Sequence, residues 1–66
     1  MLNHQIRFAI YAHDVALLAG VHVRTARRIL NRIRNRNHKP PGSVVTVAEF
    51  CDFMKLDEEA VRRMLV

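Results

Sequence analysis

The sequence predicts a mainly α-helical fold of about four short helices in two similar helix–turn–helix units, with a possible short two-stranded β ribbon. Half of the 66 residues are hydrophobic and only four are glycine or proline, which favours a packed helical domain over disorder. Apolar residues recur with helical spacing in two stretches of the chain. Shifting the sequence by 35 residues aligns the apolar positions of these two stretches.

Two short segments favour β structure. Residues 6–10 alternate three large apolar residues with an arginine and an alanine, the period-two pattern of a brief strand. Residues 44–47, Val-Val-Thr-Val, have strong β propensity. We expect the two segments to pair as a two-stranded ribbon.

The first helix is predicted over residues 12–19, where Val15, Ala16, Leu18 and Ala19 lie on one side. Gly20 directly follows these residues. A glycine in this place commonly adopts the left-handed conformation that ends a helix. The sequence therefore predicts a tight turn at Gly20.

The second helix is predicted from about Val23 to Asn35. Its apolar stripe follows the spacing i, i+3, i+4 and i+7 and consists of Ala26, Ile29, Leu30 and Ile33, with Leu30 at the margin. Pro40 disfavours helical conformation at Lys39, and Pro-Pro-Gly-Ser follows as a short, stiff connection. Residues 37–43 are therefore predicted to link the two units.

Capping signals place the last two helices. Thr46 and Glu49 form the Thr-x-x-Glu pattern of a capping box, which predicts a helix through Phe53 or Met54. Asp57 is suited to cap a final helix, whose sequence allows Glu58–Arg62 and Glu59–Arg63 ion pairs. The predicted core of this second unit consists of Phe50, Phe53, Leu56, Val61 and Leu65.

The 35-residue repeat organises the whole chain. It aligns Asp14 with Glu49, Val15 with Phe50, Ala16 with Cys51, Val21 with Leu56 and Ala26 with Val61. We expect one domain over residues 1–66, with one unit at 6–36, the linker at 37–43 and a second unit at 44–66 around a shared core. Lys55 aligns with Gly20, which predicts a different turn in the second unit.

Charge is distributed unevenly along the chain, whose formal net charge is +5. Residues 15–48 contain seven basic residues and no acid, whereas residues 49–66 carry a net charge of −2. A basic face of this kind indicates a polyanionic ligand, although an anionic membrane would also fit a basic helix. No apolar run approaches the roughly 20 residues of a membrane span, and no secretory signal pattern opens the sequence. We expect a cytoplasmic protein whose single cysteine, Cys51, is reduced.

Residues 12–29, AHDVALLAGVHVRTARRI, resemble the helix-turn-helix of bacterial DNA-binding regulators and excisionase-like proteins. The resemblance rests on a small residue at the helix crossing, a turn glycine and four apolar positions: Ala16, Gly20, Val15, Val21, Ala26 and Ile29. His22 departs from the family pattern, which usually has serine or threonine there, and Tyr11 stands in place of a capping threonine. The resemblance implies that the second helix recognises DNA.

The helical wheel gives an independent interpretation of the same helix, because its polar face is opposite its apolar stripe. Arginine can form two hydrogen bonds with guanine, and asparagine can form two with adenine. The residues predicted to contact bases are Arg24, Arg27, Arg28 and Asn31. Those predicted to contact phosphates are Thr25, Arg32, Arg34, Arg36 and Lys39. Glu58 and Glu59 would be repelled by phosphates, so the second unit is predicted to be structural or dimer-forming.

These patterns predict a sequence-specific double-stranded DNA-binding protein, a transcriptional regulator or recombination accessory factor that acts as a homodimer. We expect no enzymatic activity, cofactor, metal site, membrane association or small-molecule substrate. The alternative is a protein-interaction or oligomerisation module, whose basic helix pairs with the acidic residues 57–59 of another chain. A solvated arginine face without a ligand and RNA binding are further alternatives, although few aromatic residues are available to stack on RNA bases.

Overall fold

The computed structural model describes residues 8–65, which form four helices and a short two-stranded antiparallel sheet. In chain order the elements are β1 (Ala9–Ile10), α1 (Ala12–Ala19), α2 (Val23–Arg36), β2 (Val45–Thr46), α3 (Val47–Met54) and α4 (Glu58–Leu65). The predicted mainly α-helical fold with a short ribbon is confirmed.

The β ribbon is shorter than the sequence pattern suggests. Ala9 pairs with Thr46 and Ile10 pairs with Val45, while the Phe8 carbonyl accepts a hydrogen bond from the Val47 amide at 2.9 Å. Strand pairing stops there because the chain enters α3 at Val47. Phe8 and Val44, which were also predicted as strand residues, lie outside the two strands, and the predicted positions 6 and 7 lie outside the described residues.

The predicted capping box opens α3. The Thr46 hydroxyl accepts a hydrogen bond from the Glu49 amide at 3.0 Å, and the Glu49 carboxylate accepts one from the Thr46 amide at 2.9 Å. At the equivalent end of α1, the Asp14 carboxylate accepts a hydrogen bond from the Tyr11 amide at 2.9 Å. Both α1 and α3 thus have a carboxylate in the first turn that bonds back to the residue before the helix, where the carboxylate also interacts favourably with the helix dipole.

The turns after α1 and α3 have the same geometry. Gly20 has φ 67° and ψ 37°, and Lys55 has φ 60° and ψ 47°. Their amides donate to the carbonyls of Ala16 and Cys51, which are themselves 35 residues apart. The expectation of a different turn at Lys55 is therefore wrong: the lysine adopts the left-handed conformation that glycine adopts in the first unit.

Side chains also cap α2 and α4. The imidazole Nδ1 of His22 accepts a hydrogen bond from the Arg24 amide at 3.0 Å, and the Asp57 carboxylate accepts one from the Ala60 amide at 3.0 Å. Both predicted ion pairs of α4 are present, with Glu58–Arg62 at 2.7 Å and Glu59–Arg63 at 3.1 Å. His22 thus performs the capping role for which the related sequence pattern uses serine or threonine.

Both units contribute to one hydrophobic core. Its buried members are Ile10, Val15, Ala26, Leu30 and Ile33 from the first unit and Val45, Val47, Phe50, Cys51 and Val61 from the second. Helices α1 and α3 begin and end 35 residues apart, as the repeat predicts. The aligned pairs Val15–Phe50 and Ala26–Val61 are buried in both units.

The core differs from the sequence prediction in two respects, the relative burial of Leu30 and Ile29 and the exposure of Leu56. Leu30 is buried whereas Ile29 is only partly buried, because α2 contacts β2 as well as α1 and so turns its Leu30 side inward. Leu56 is 45% exposed, so its assignment to the core is wrong. Phe53 and Leu65 are partly buried against the core. None of the helices within residues 8–65 has the length and apolar character needed to cross a bilayer.

Candidate nucleic-acid interface

The exposed face of α2 has a centre and two edges, defined by its buried residues Ala26, Leu30 and Ile33. With about 100° of rotation per residue, the centre opposite the core consists of Arg24, Arg28, Asn31 and Asn35. One edge carries Arg27 and Arg34. The other carries Thr25, Arg32 and Arg36. All these residues except the half-buried Arg34 are exposed.

Four arginines of this face have no ion-pair or hydrogen-bond partner for their guanidinium groups within the described residues. Within residues 8–65, no ion pair or side-chain hydrogen bond engages Arg24, Arg27, Arg28 or Arg32. The arginines of α4, in contrast, form ion pairs with glutamates one turn earlier. The two helices therefore differ in available charge: α2 presents free cationic donors, whereas α4 largely neutralises its own.

Arg34 binds within the chain. Its Nε donates to the Ser43 carbonyl at 2.6 Å, and its Nη1 donates to the Asn31 amide oxygen at 2.8 Å. The first bond attaches the loop before β2 to the side of α2. The second bond fixes the Asn31 side chain beside Arg34 on the surface of α2.

Lys39 is also engaged within the chain. Its Nζ donates to the Val44 carbonyl at 2.6 Å and pairs with the Glu49 carboxylate at 2.7 Å, and both charged side chains are about one-quarter exposed. Glu49 accepts a further bond from the Asn37 amide at 3.2 Å. The hydrogen bond from Lys39, together with that from the Thr46 backbone, lowers the pKa of Glu49 from its ordinary value. Residues 37–44 are thereby attached at both ends.

Arg36 lies against the second unit. Its guanidinium carbon is 5.5 Å from the centre of the Phe53 ring, a cation–π distance. Arg36 is nevertheless exposed and keeps its donors accessible at the end of α2. It therefore extends the basic face toward α3.

The nine residues predicted to contact DNA thus fall into two groups. Seven lie on the exposed surface of α2: Arg24, Thr25, Arg27, Arg28, Asn31, Arg32 and Arg36. Arg34 and Lys39 instead hold the loop before β2. The sequence could not reveal this difference, because the Ser43 and Val44 carbonyls that bind Arg34 and Lys39 come near them only in the folded chain.

A groove of about 360 Å³ lies beside α2, on the Arg27 side. One wall includes Arg27, Asn31 and Arg34, and the other includes Tyr11, Ser43 and Val44. No carboxylate of residues 8–65 lines it. This groove is not predictable from helical periodicity, since its second wall comes from residues that flank the two strands.

Other chemistry is little supported by the described residues. Across residues 8–65 no cluster of three histidine, cysteine or acidic side chains is arranged to hold a metal ion. Cys51 is buried, and loss of hydration raises the pKa of its thiol. A protonated, buried thiol is a poor nucleophile, so Cys51 serves as a packing residue.

Comparison of the chain with protein-family models, with curated proteins and with solved structures finds no match. The resemblance of residues 12–29 to DNA-binding helix-turn-helix proteins therefore stays a prediction that rests on those residues themselves.

Proposed function

We propose that this protein binds double-stranded DNA sequence-specifically, with α2 as the recognition helix. The observation that carries the proposal is the group of four exposed arginines on α2 whose side chains have no partner within the described residues. DNA presents a dense row of phosphates, and free arginines both neutralise phosphates and bind base edges. A helix of 14 residues preceded by a tight turn suits insertion into the major groove.

The exposed positions divide the work of recognition. Base contacts are assigned to the N-terminal half of α2, through Arg24, Arg27, Arg28 and Asn31, because recognition helices usually place their first turns on base edges. Thr25, Arg32 and Arg36 are assigned to phosphates on the opposite edge. Arg34 and Lys39, which bind the loop before β2, are left out of the phosphate contacts predicted from sequence.

The alternative of an acidic partner chain has less support. In that alternative the basic face of α2 would pair with residues 57–59 of a second copy. Glu58 and Glu59, however, already form ion pairs with Arg62 and Arg63 in the same helix. Breaking these pairs would offset part of the attraction to α2. The second unit is better suited to a structural role, since its acidic helix start would also repel phosphates.

The proposed biological role is transcriptional regulation or assistance to recombination, in a bacterial cytoplasm. A homodimer would place two recognition helices about 34 Å apart, which is one turn of DNA, and so contact two successive major grooves. Selection of binding sequences from random duplexes, followed by footprinting, would reveal whether the target has two half-sites.

The decisive test compares duplex affinity at low and moderate salt for the wild type and a double variant. Arg24→Ala with Arg28→Ala should weaken binding to the selected duplex by at least about thirtyfold, because two base contacts are lost. The control, Arg62→Ala with Arg63→Ala, removes the same charge from α4 and should stay within about threefold of wild type. Circular dichroism verifies that both variants remain folded.

Salt dependence provides the second criterion. Wild-type affinity should fall steeply between about 50 and 200 mM salt, because each phosphate contact releases counterions. The proposal would be refuted if the affinity for duplex did not change with salt concentration. It would also be refuted if the two double variants lost equal affinity for the duplex. Light scattering with and without duplex distinguishes DNA binding from the oligomerisation alternative. The alternative predicts an oligomer that dissociates at higher salt and whose size does not change when DNA is added.

A further inference from the structure

The groove beside α2 has one polar, cationic wall and one largely apolar wall. Tyr11 follows β1 and Val44 precedes β2, so the end of the ribbon presents both side chains together, with exposures of 56% and 48%. Arg27 and Asn31 face them from α2. The groove is therefore continuous with the face proposed to read bases.

Intramolecular bonds fix the second wall in place. Arg34 donates to the Ser43 carbonyl at 2.6 Å, and Lys39 donates to the Val44 carbonyl at 2.6 Å. The Ser43 hydroxyl donates to the Pro40 carbonyl at 2.6 Å. A wall held by three such bonds needs little ordering when a ligand binds, which preserves affinity. Arg34 is thus a positioning residue that sets the distance between loop and helix.

The chemistry of the two walls matches one strand of a DNA backbone. Among the described residues, two arginines and no carboxylate line the groove, which favours an anion. The apolar wall would suit the deoxyribose rings between phosphates. A helix in the major groove, about 12 Å wide, has a phosphate backbone running along each side, so a strand must pass along the Arg27 edge of α2.

We propose that this groove holds the sugar–phosphate backbone of the strand next to the recognition helix, with deoxyribose against Tyr11 and Val44 and phosphate along the cationic wall, from which Arg27 extends to the bases. The inference rests on the proposed function and adds a second DNA-contacting element, the ribbon end and loop 42–44. It also explains why Arg34 binds the loop: by doing so it shapes a site for phosphate instead of binding phosphate directly.

Charge substitutions on the apolar wall test the assignment. With the selected duplex, Val44→Lys should tighten binding about tenfold and Val44→Glu should weaken it about tenfold, because the new charge lies close to phosphate. Leu17→Lys and Leu17→Glu make identical charge changes on α1, at a residue that is 84% exposed and outside the groove lining. These controls should stay within about threefold of wild type.

A second pair of variants and a spectroscopic readout complete the design. Tyr11→Lys and Tyr11→Glu should repeat the opposite shifts of the Val44 pair, so the test survives if one Val44 variant fails to fold. In wild-type protein, adding duplex should displace the amide resonances of Gly42, Ser43 and Val44. Thermal melting followed by circular dichroism identifies any variant that is not folded, whose affinity is then left out of the comparison.

The outcomes distinguish this inference from the function on which it rests. If the groove variants matched the Leu17 variants while Arg24→Ala with Arg28→Ala abolished binding, the groove assignment would be overturned and the recognition helix would stand. If wild type failed to bind any duplex at low salt, both proposals would fall.

Discussion

Glu49 connects three parts of the chain through a single carboxylate. It accepts hydrogen bonds from the Thr46 amide, the Lys39 ammonium and the Asn37 side chain. These partners belong to the start of α3, the loop after α2 and the residue that ends α2. The charge of Glu49 therefore stabilises both a helix start and the position of the loop beside the basic face.

Acid should weaken the fold through this residue. Hydrogen bonding by Lys39, the largest cause, lowers the pKa of Glu49 from 4.5. A lowered folded-state pKa means that the stabilisation is complete above about pH 4.5 and is lost as pH falls through the lower folded value. Urea denaturation at a series of acidic pH values should show this loss in wild type and a smaller one in Glu49→Gln. Parallel pH profiles for the two proteins would contradict the prediction.

His22 is an unusual but effective cap for α2. Its Nδ1 accepts the Arg24 amide, which leaves the imidazole at the base of the first turn of α2. Serine, threonine, aspartate and asparagine are the ordinary capping residues, so the sequence alone gave no reason to expect a histidine cap. The helix start nevertheless lies at Val23, as the apolar spacing predicted.

At the scale of elements, the two turns offer a natural comparison. Gly20 and Lys55 share one backbone conformation, yet only glycine adopts it without steric cost. A β-carbon added at Gly20 would meet nothing within 4 Å. Any penalty for a side chain there therefore comes from the backbone alone.

Exchanging these turn residues should change stability in opposite directions. Gly20→Ala should lower the free energy of unfolding by about 1 kcal/mol, the cost of a left-handed alanine. Lys55→Gly should raise it by about 0.5 kcal/mol, since relief of that cost is partly offset by the greater freedom of glycine in the unfolded chain. Urea denaturation of both variants measures these changes, and a stabilising Gly20→Ala would disprove the account.

The helices were predictable from local sequence signals, whereas the contacts between elements were not predictable. The capping box at Thr46, the cap at Asp57 and the turn at Gly20 each depend on residues at most four positions apart, and each is present. The exposure of Leu56 and the burial of Leu30 depend on how whole helices pack. The groove depends on the pairing of β1 with β2, so its second wall could not be located from periodicity.

For the molecule as a whole, stability depends on a core assembled from both units. Phe50 is among the largest fully buried side chains, and it occupies the place that Val15 has in the first unit. A domain of this length buries only about 60% of the surface of its unfolded chain, so its margin of stability is small. Damage to the second unit should therefore unfold the first as well.

Phe50→Ala tests this dependence. The substitution should cost about 3–5 kcal/mol, comparable with the whole stability of a small domain, and so abolish cooperative unfolding. Phe8→Ala is the matched control, because Phe8 is 70% exposed and its loss should cost less than about 0.5 kcal/mol. Thermal melts and the dispersion of amide resonances distinguish the outcomes; a folded α1–α2 unit in Phe50→Ala would show that the units are independent.

The unpaired arginines of α2 have a consequence for the protein in the absence of any ligand. Arg24, Arg28 and Arg32 succeed one another at single helical turns, and like charges at that spacing repel by about 0.2–0.5 kcal/mol per pair. Dissolved ions screen this repulsion. If α2 binds DNA as proposed, ionic strength has opposite effects on the two states of the protein: it stabilises the unliganded helix and weakens binding to the polyanion. In the proposed complex the phosphates would screen the arginines in place of those ions, so binding would relieve a repulsion that the unliganded fold has to sustain.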